Sequence, residues 1–345
     1  KLPNSNLQSP IMTLLSQLSS ALDTELRAAR DFRLPPPDDY ARMLYYHLGW
    51  IDEGQPTLVA GKRTRPTLTL LCAAASGGDW RNALPFAACV ELIHNFSLVH
   101  DDIQDDSPLR RGRSTVWKLW GAPQAINAGD ALFNYAHLAL NRARQRNLES
   151  SIILDAFQLI HVACYQLTLG QHYDMSFEKH DSVTVDDYLK MIEGKTASLI
   201  ATSTELGALA ANAPSPARAN YREFGRHLGL AFQIRDDILG IWGDAAITGK
   251  SAATDIITRK KTLPVLYGLQ HSQKLCSLYR PEANGGGSVN DVVAELEKCG
   301  ARAYAEEKEK HHADLAISCL DSAKPKDEAG ESLHELTMQL LGRTN

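Results

Sequence analysis

Aspartates gather at two places in this chain where the surrounding residues predict a helix. The first gathering closes the stretch Glu91-Leu-Ile-His94-Asn-Phe-Ser-Leu-Val-His100-Asp101-Asp102-Ile-Gln-Asp105-Asp106, in which Phe86, Val90, Ile93 and Phe96 mark a buried helix face. At about 100° per residue, His94, Asp101 and Asp105 fall within about 20° of one line along the helix. Two carboxylates and an imidazole therefore share a face. Unneutralised carboxylates one turn apart repel, so a cation is expected there. Hard oxygen ligands at that spacing suit Mg²⁺, which takes one or two carboxylates, keeps waters and completes its shell with phosphate. The plainer reading is a solvated acidic helix end.

Directly after these aspartates, Ser107-Pro108-Leu109-Arg110-Arg111-Gly112-Arg113 offers three guanidinium groups on a predicted loop. Guanidinium forks match phosphate oxygens in bidentate geometry. The arrangement recurs in Phe232-Gln233-Ile-Arg-Asp236-Asp237-Ile-Leu-Gly240, followed by Thr248-Gly249-Lys250 and by Arg259-Lys260-Lys261-Thr262. Gln233, Asp236, Asp237 and Gly240 lie along one helix face. Acid on a helix followed by base on a loop, twice, is what a metal diphosphate needs. Two further basic stretches accompany them. Gly61-Lys62-Arg63-Thr64-Arg65-Pro66 opens an apolar helix, with Lys62 and Arg65 one turn apart, and is either a solvated helix start or an anion site. Gly194-Lys195-Thr196 lies inside an apolar run, where Lys195 either snorkels or meets an anion.

The elements that carry these groups are helical. Ile11, Leu14, Leu15, Leu18, Leu22 and Leu26 recur at spacings of three and four, predicting an amphipathic helix over about 11–33, which the Pro-rich run at 34–38 ends. Similar patterns predict helices near 65–77, 84–105, 122–145, 150–171, 185–212, 218–242, 262–275, 289–300 and 302–321. Convincing strand alternation is absent, and PEANGGGS at 281–288 and the stretch near 323–330 read as loops. An all-α bundle in one large domain over 1–345 is the simplest expectation, with C-terminal helices running to the end. Of 345 residues, 44% are hydrophobic and 22% charged, with a net charge of −5, so no basic field draws the chain to nucleic acid. Six cysteines without zinc spacing read as reduced core thiols. No apolar run approaches the roughly 20 residues that span a bilayer, so no transmembrane segment and a cytoplasmic protein are expected. The chain starts without Met, which leaves room for a trimmed targeting segment.

Together these stretches resemble the trans-isoprenyl diphosphate synthases, which include the farnesyl and geranylgeranyl diphosphate synthases. The resemblance covers about residues 55–270 and rests on GKRTRP (61–66), LIHNFSLVHDDIQD ending at Asp105, RRGRSTVW (110–117), GKT (194–196), FQIRDD (232–237), and GK followed by KKTLP. It implies that Asp101 and Asp105 bind Mg²⁺ from one helix and Asp236 from the facing one, with about three ions per site. Asp102 and Asp237 would support these ligands from behind. Arg110, Lys195, Thr196, Gln233, Lys250 and Lys260 would hold the allylic diphosphate. Lys62, Arg65, His94 and Arg111 would grip isopentenyl diphosphate. The family's second motif carries a further aspartate where this chain has Gly240, which implies altered metal affinity with activity retained.

The implied reaction ionises an allylic diphosphate, and the double bond of isopentenyl diphosphate attacks the resulting cation. No side-chain nucleophile is needed, consistent with the lack of any Ser/His/Asp or Cys/His signature. Product length in the family depends on bulk about 6–7 Å below the first cluster, where Phe96 and Ser97 lie. Their sizes resemble the C20-making group; C15 and C25 products stay open, as does a plain core role for Phe96. A class I terpene cyclase and a non-catalytic synthase subunit are the rival readings. The resemblance also implies a homodimer, with the N-terminal amphipathic segment a candidate contributor.

Overall fold

The computed structural model describes residues 10–29, 37–54, 61–177, 180, 182–243, 253–279 and 287–342. In chain order the helices are α1 (Pro10–Ala28), α2 (Asp38–His47), α3 (Thr64–Ala75), α4 (Leu84–Gln104), α5 (Val116–Trp120), α6 (Ala122–Asn141), α7 (Ser150–Phe177), α8 (Val185–Ile192), α9 (Ser198–Ala210), α10 (Ser215–Trp242), α11 (Thr254–Ile257), α12 (Leu263–His271), α13 (Gln273–Leu278), α14 (Val289–Lys298), α15 (Ala301–Ala323) and α16 (Asp327–Leu340). Among the described residues the one sheet is a two-stranded antiparallel hairpin of β1 (Leu109–Arg110) and β2 (Arg113–Ser114). The all-α expectation holds.

The chain divides into two compact units. One comprises Lys1–His161, Thr202–Ala219 and Lys324–Leu333; the other comprises Val162–Ala201, Asn220–Ala323 and His334–Asn345. In the first unit α4 packs along α6 and against α1 and α3. Its residues from Leu84 to Ile93 are buried on every side except at Glu91, as expected of a helix that is apolar all round. Leu18, Leu22 and Leu26 of α1 are 1–2% exposed. Each such leucine contributes on the order of 1.5–3 kcal/mol before ordering costs. The apolar stripe of α1 is thus covered within the protomer from Leu18 to Leu26, while Leu14 and Leu15 are partly exposed.

In the second unit, Tyr188, Met191 and Ile192 of α8 pack with Leu230 and Ile234 of α10 and with Leu263 and Leu266 of α12. A neighbouring cluster joins Ile241 and Ile256 to Val265, Leu275 and Leu296. Thr184 and Ser288 each close a reciprocal cap with the aspartate three residues on, which fixes where α8 and α14 begin.

Several boundaries differ from the sequence expectation. The run over 185–212 is broken by a π-helical turn at Glu193–Ala197 between α8 and α9. Helix α7 continues to Phe177, six residues past the predicted end at 171, and the expected loop near 323–330 shrinks to the few residues between α15 and α16. Helices α2, α5 and α11 carried too short or too polar a pattern to be predicted, whereas α16 is one of the C-terminal helices expected to run to the end. Two helices, Trp80–Gln104 and Ser150–Phe177, are long and apolar enough by length and composition to cross a membrane, contrary to the expectation of none. Their apolar windows are interrupted by isolated polar residues, so neither contains the unbroken run first sought. In the first of them 67% of the window is already buried in protein, as in a core helix. Residues 30–33 of the expected first helix, 34–36 of the Pro-rich run, most of PEANGGGS and Lys250 lie outside the described residues. The six cysteines are all free thiols.

Candidate active site

Helix α4 ends in the first acidic cluster. Asp105 caps its C-terminus, Asp101 is half-buried one turn earlier, and Asp102 is 2% exposed. Arg110 bridges two of them, its Nε 2.8 Å from Asp102 Oδ1 and its Nη2 3.2 Å from Asp101 Oδ2. Burial pushes the Asp102 carboxyl up to about 6; Arg110 pulls it back, while Asp101 and Asp105 add to the rise. The basic loop predicted here is the β1–β2 hairpin, which pairs Leu109 with Ser114 and Arg110 with Arg113. Its turn needs two left-handed residues, Arg111 at φ 51° and Gly112 at φ 76°, as type I′ hairpins do. Thr115 Oγ1 and Trp117 Nε1 donate to Ser107 O at 2.9 and 2.8 Å and tie the hairpin base. Arg113 turns inward, 4.1 Å above the Tyr46 ring and donating to Ile51 O, so that guanidinium is structural.

A basic cluster lies in the same unit. Arg65 Nη1 is 3.3 Å from His94 Nε2. The Arg111 guanidinium sits against Gly61, where a Cβ would meet Arg111 Nη1 at 2.3 Å. The two motifs predicted to grip one substrate are therefore brought together. Lys62 is exposed and precedes α3, whose N-cap Arg63 is left-handed at φ 44°, so Lys62 and Arg65 are not neighbours on one helix as first read. Burial lowers Arg65 to about 10 despite Glu91. Burial, then Arg65 and Arg111, drive the His94 imidazole well below its usual range.

Two participants were not anticipated. Glu91 accepts from Asn95 Nδ2 at 3.1 Å; burial raises its carboxyl, while Arg63, Arg65 and Arg111 oppose the rise. His47, at the end of the unpredicted α2, has a buried Nε2 with no hydrogen-bond partner among the described residues. Burial and then Arg110 and Arg111 lower it to about 3. His47, Asn95, Asp102, Arg110, Arg111 and Arg113 line a cleft of about 390 Å³. Guanidinium groups crowded around imidazoles that burial keeps neutral present charged donors of the kind that pair with phosphate oxygens.

The folded His94 resists a proton that the unfolded chain accepts below its ordinary value of 6.5. The unfolded state then binds more protons, so this group's contribution to stability rises with pH up to about 6.5 and is flat above. His94→Gln is expected to lose less melting temperature than wild type between pH 7.5 and 5.5, by up to about 2 °C, in thermal scans across buffers. Parallel curves would refute the assignment.

The second acidic cluster sits on α10. Asp237 is 2% exposed and accepts from Tyr188 Oη at 2.5 Å, Gln233 Nε2 at 3.1 Å and Leu263 N at 3.2 Å. Burial raises its carboxyl to about 6 although Lys260 and these donors work against the rise. Thr196 Oγ1 donates to Gln233 Oε1 at 2.8 Å, joining two residues predicted from separate motifs. Lys195, carried by the π-turn, neither snorkels nor stands bare; its Nζ is 2.5 Å from Asp174 Oδ2 on α7. Burial works against charge on Lys260, but Asp237, Asp174, Asp255 and Asp236 outweigh it and hold the ammonium firmly protonated. Asp174, Tyr188, Lys195, Gln233, Asp237 and Lys260 line a cleft of about 290 Å³.

The donors fit the expected ion. They are hard carboxylate oxygens, and Asp101 and Asp102 already take up a cation in Arg110. Among the described residues no three His, Cys, Asp or Glu side chains converge as a closed cage, so the carboxylates offer part of a shell. Mg²⁺ uses such partial shells together with phosphate.

The sequence profile of the polyprenyl synthetase family matches residues 51–296. The chain belongs to this family. A (2E,6E)-farnesyl diphosphate synthase of Mycobacterium tuberculosis is 38% identical over 96% of this chain and 90% of its own. A geranylgeranyl diphosphate synthase of the same organism is 40% identical over 86% of this chain and 85% of its own. The crystal structure of a polyprenyl synthetase from Streptomyces coelicolor superposes with a TM-score of 0.85 at 34% identity, covering 96% of this chain and 99% of that one. As a polyprenyl synthetase the protein is a short-chain trans-prenyltransferase. In this polyprenyl synthetase Phe96 is 8% exposed, its ring edge-to-face with Phe133 at 5.1 Å and with His100 at 5.7 Å. Ser97 Oγ donates to His94 O at 2.8 Å.

Proposed function

We propose that the protein condenses isopentenyl diphosphate with an allylic diphosphate to give geranylgeranyl diphosphate. The observation that carries the synthase reading is the grouping of Arg65, His94 and Arg111, a receptor for a second diphosphate that a cyclase acting on one substrate does not need. Arg65 and Arg111, with Lys62, bind isopentenyl diphosphate; His94 stays neutral and donates or accepts one hydrogen bond. Asp101, Asp105 and Asp236 hold magnesium, about three ions, with Asp102 and Asp237 fixing the helix ends from behind. Bound magnesium supplies electrostatic neutralisation of the leaving diphosphate. Lys195, Thr196, Gln233, Lys260, Arg110 and Lys250 orient the allylic diphosphate, and the Thr196–Gln233–Asp237 chain keeps the amide of Gln233 in one orientation. The aromatic pair Phe96–Phe133 limits the growing chain and supports the C20 assignment over C15 or C25.

The test is incubation with isopentenyl diphosphate, Mg²⁺ and C5, C10 or C15 allylic diphosphates, followed by product sizing. The C20 diphosphate is expected from each. A C15 end product overturns the length assignment, and a cyclic hydrocarbon from one substrate alone overturns the synthase. Phe96→Ala is expected to shift the product beyond C20 in the same assay; an unchanged product distribution makes Phe96 plain core. A homodimer is part of the proposal: α7 leaves Leu154, Val162 and Tyr165 exposed by 68, 45 and 68%. Light scattering at monomer mass would remove it.

A further inference from the structure

We propose that His137 of α6 and His161 of α7 form a two-nitrogen site for a divalent transition-metal ion of the zinc, nickel or copper class, separate from the aspartate clusters. The two helices repeat one pattern, a phenylalanine four residues before a histidine, in Phe133-Asn-Tyr-Ala-His137 and Phe157-Gln-Leu-Ile-His161. In both, the imidazole folds back on its own helix. His137 Nδ1 donates to Phe133 O at 2.8 Å, and His161 Nδ1 donates to Phe157 O at 2.6 Å. A carbonyl oxygen can only accept, so each Nδ1 carries the proton and Nε2 of the neutral ring is a bare lone pair. Metal-binding imidazoles are held in this way, with the other N–H locked on a carbonyl or carboxylate.

The two lone pairs belong to neighbouring rings, whose centres are 5.0 Å apart. Two imidazoles bound through Nε2 to one tetrahedral ion, at about 2.0–2.1 Å each, hold their ring centres about 5.2 Å apart. The ring planes meet at 41°, neither the parallel offset nor the edge-to-face arrangement that rings adopt when packing alone decides. His137 Nε2 is also buried, with no hydrogen-bond partner among the described residues. A buried acceptor in that state calls for a water or an ion. His161 is exposed, which gives an ion a way in from solvent. Phe133 stands edge-on to His137 at 4.5 Å and Phe157 stacks on His161 at 6.2 Å, so both imidazoles are braced by their own helices. Imidazole nitrogen suits zinc, nickel and copper, whereas Mg²⁺ favours oxygen. Among the described residues no third His, Cys, Asp or Glu side chain completes the set, so water would fill the remaining positions.

The test titrates Zn²⁺ alone into the full chain by isothermal calorimetry with Mg²⁺ in excess. Any Zn²⁺ taken up by the aspartates is common to every variant and drops out of the comparison. The wild type is expected to show a binding event that His137→Gln and His161→Gln each weaken by about 10-fold or more. Because both rings serve one ion, the double variant should bind no more weakly than either single one. Wild-type affinity in either single variant, or no such event in the wild type, overturns the proposal. Displacement of the event by Mg²⁺ overturns it as well, since that would mark an oxygen site. His161→Gln changes an exposed side chain, so it decides alone should His137→Gln fail to fold.

Discussion

Asp101→Ala is expected to lower kcat by about 10³-fold or more with both substrates and Mg²⁺ present, while leaving the fold intact. The separation follows from geometry. Arg110 keeps its 2.8 Å contact with the buried Asp102 when Asp101 is gone, and its 3.2 Å contact with Asp101 joins partly exposed groups. Such pairs contribute at most about 1 kcal/mol, so melting temperature should move by no more than about 1–2 °C. A steady-state assay and a thermal scan on the same preparation check both halves. Wild-type turnover would remove Asp101 from the metal site; collapse of the fold would make its role structural.

Gly170→Val is expected to be damaging in a different way, by moving Lys195 without touching any charge. A Cβ at Gly170 would lie 2.1 Å from Lys195 N, 2.7 Å from Gly194 C and 2.8 Å from Lys195 Cα. These are backbone atoms of the π-turn and cannot swing aside as a side chain would. Gly194 mirrors the contact, with its own Cβ position 2.6 Å from Gln166 O. Overpacking of this kind costs about 1–3 kcal/mol, and a displacement near 1 Å at a binding group costs about 10²-fold in rate. Kinetics should show kcat/KM for the allylic diphosphate falling far more than the affinity for isopentenyl diphosphate. Gly170→Ala should show the same pattern more weakly. Unchanged allylic kinetics in the valine variant would mean that Lys195 does not meet that substrate.

Much of this protein is legible in its sequence because the informative signals are local. Helix α4 is recognised by Phe86, Val90, Ile93 and Phe96, and its carboxylates follow within one turn of its end. The groupings that escape prediction depend on distant partners. Asp174, 21 residues before Lys195, lies past the predicted end of α7, and nothing near it signals a partner lysine. Tyr188 and Asp237 are 49 residues apart, and only the packing of α8 on α10 brings hydroxyl to carboxylate. His47 was missed with α2, whose ten residues start after prolines and alternate charge with aromatics. Glu91 carries no signal of its own in the sequence, because its meaning depends on Arg63, Arg65 and Arg111 arriving from elsewhere. The β1–β2 hairpin escaped because two-residue strands leave no alternation to detect, and its left-handed turn holds Arg where Asn is the usual signal.

The bridge that Arg110 forms to Asp101 and Asp102 has a consequence for how the protein is loaded. These carboxylates carry Arg110 as their own counter-ion, so on the proposed metal role a bare divalent cation would have to displace a tethered guanidinium to enter. A magnesium diphosphate would offset that displacement, because it would bring a positive partner for the aspartates and a negative one for the released arginine in the same encounter. On the proposed metal role, the end of α4 would work as an ion exchanger that trades one pairing for two, favouring the salt over either of its separate ions.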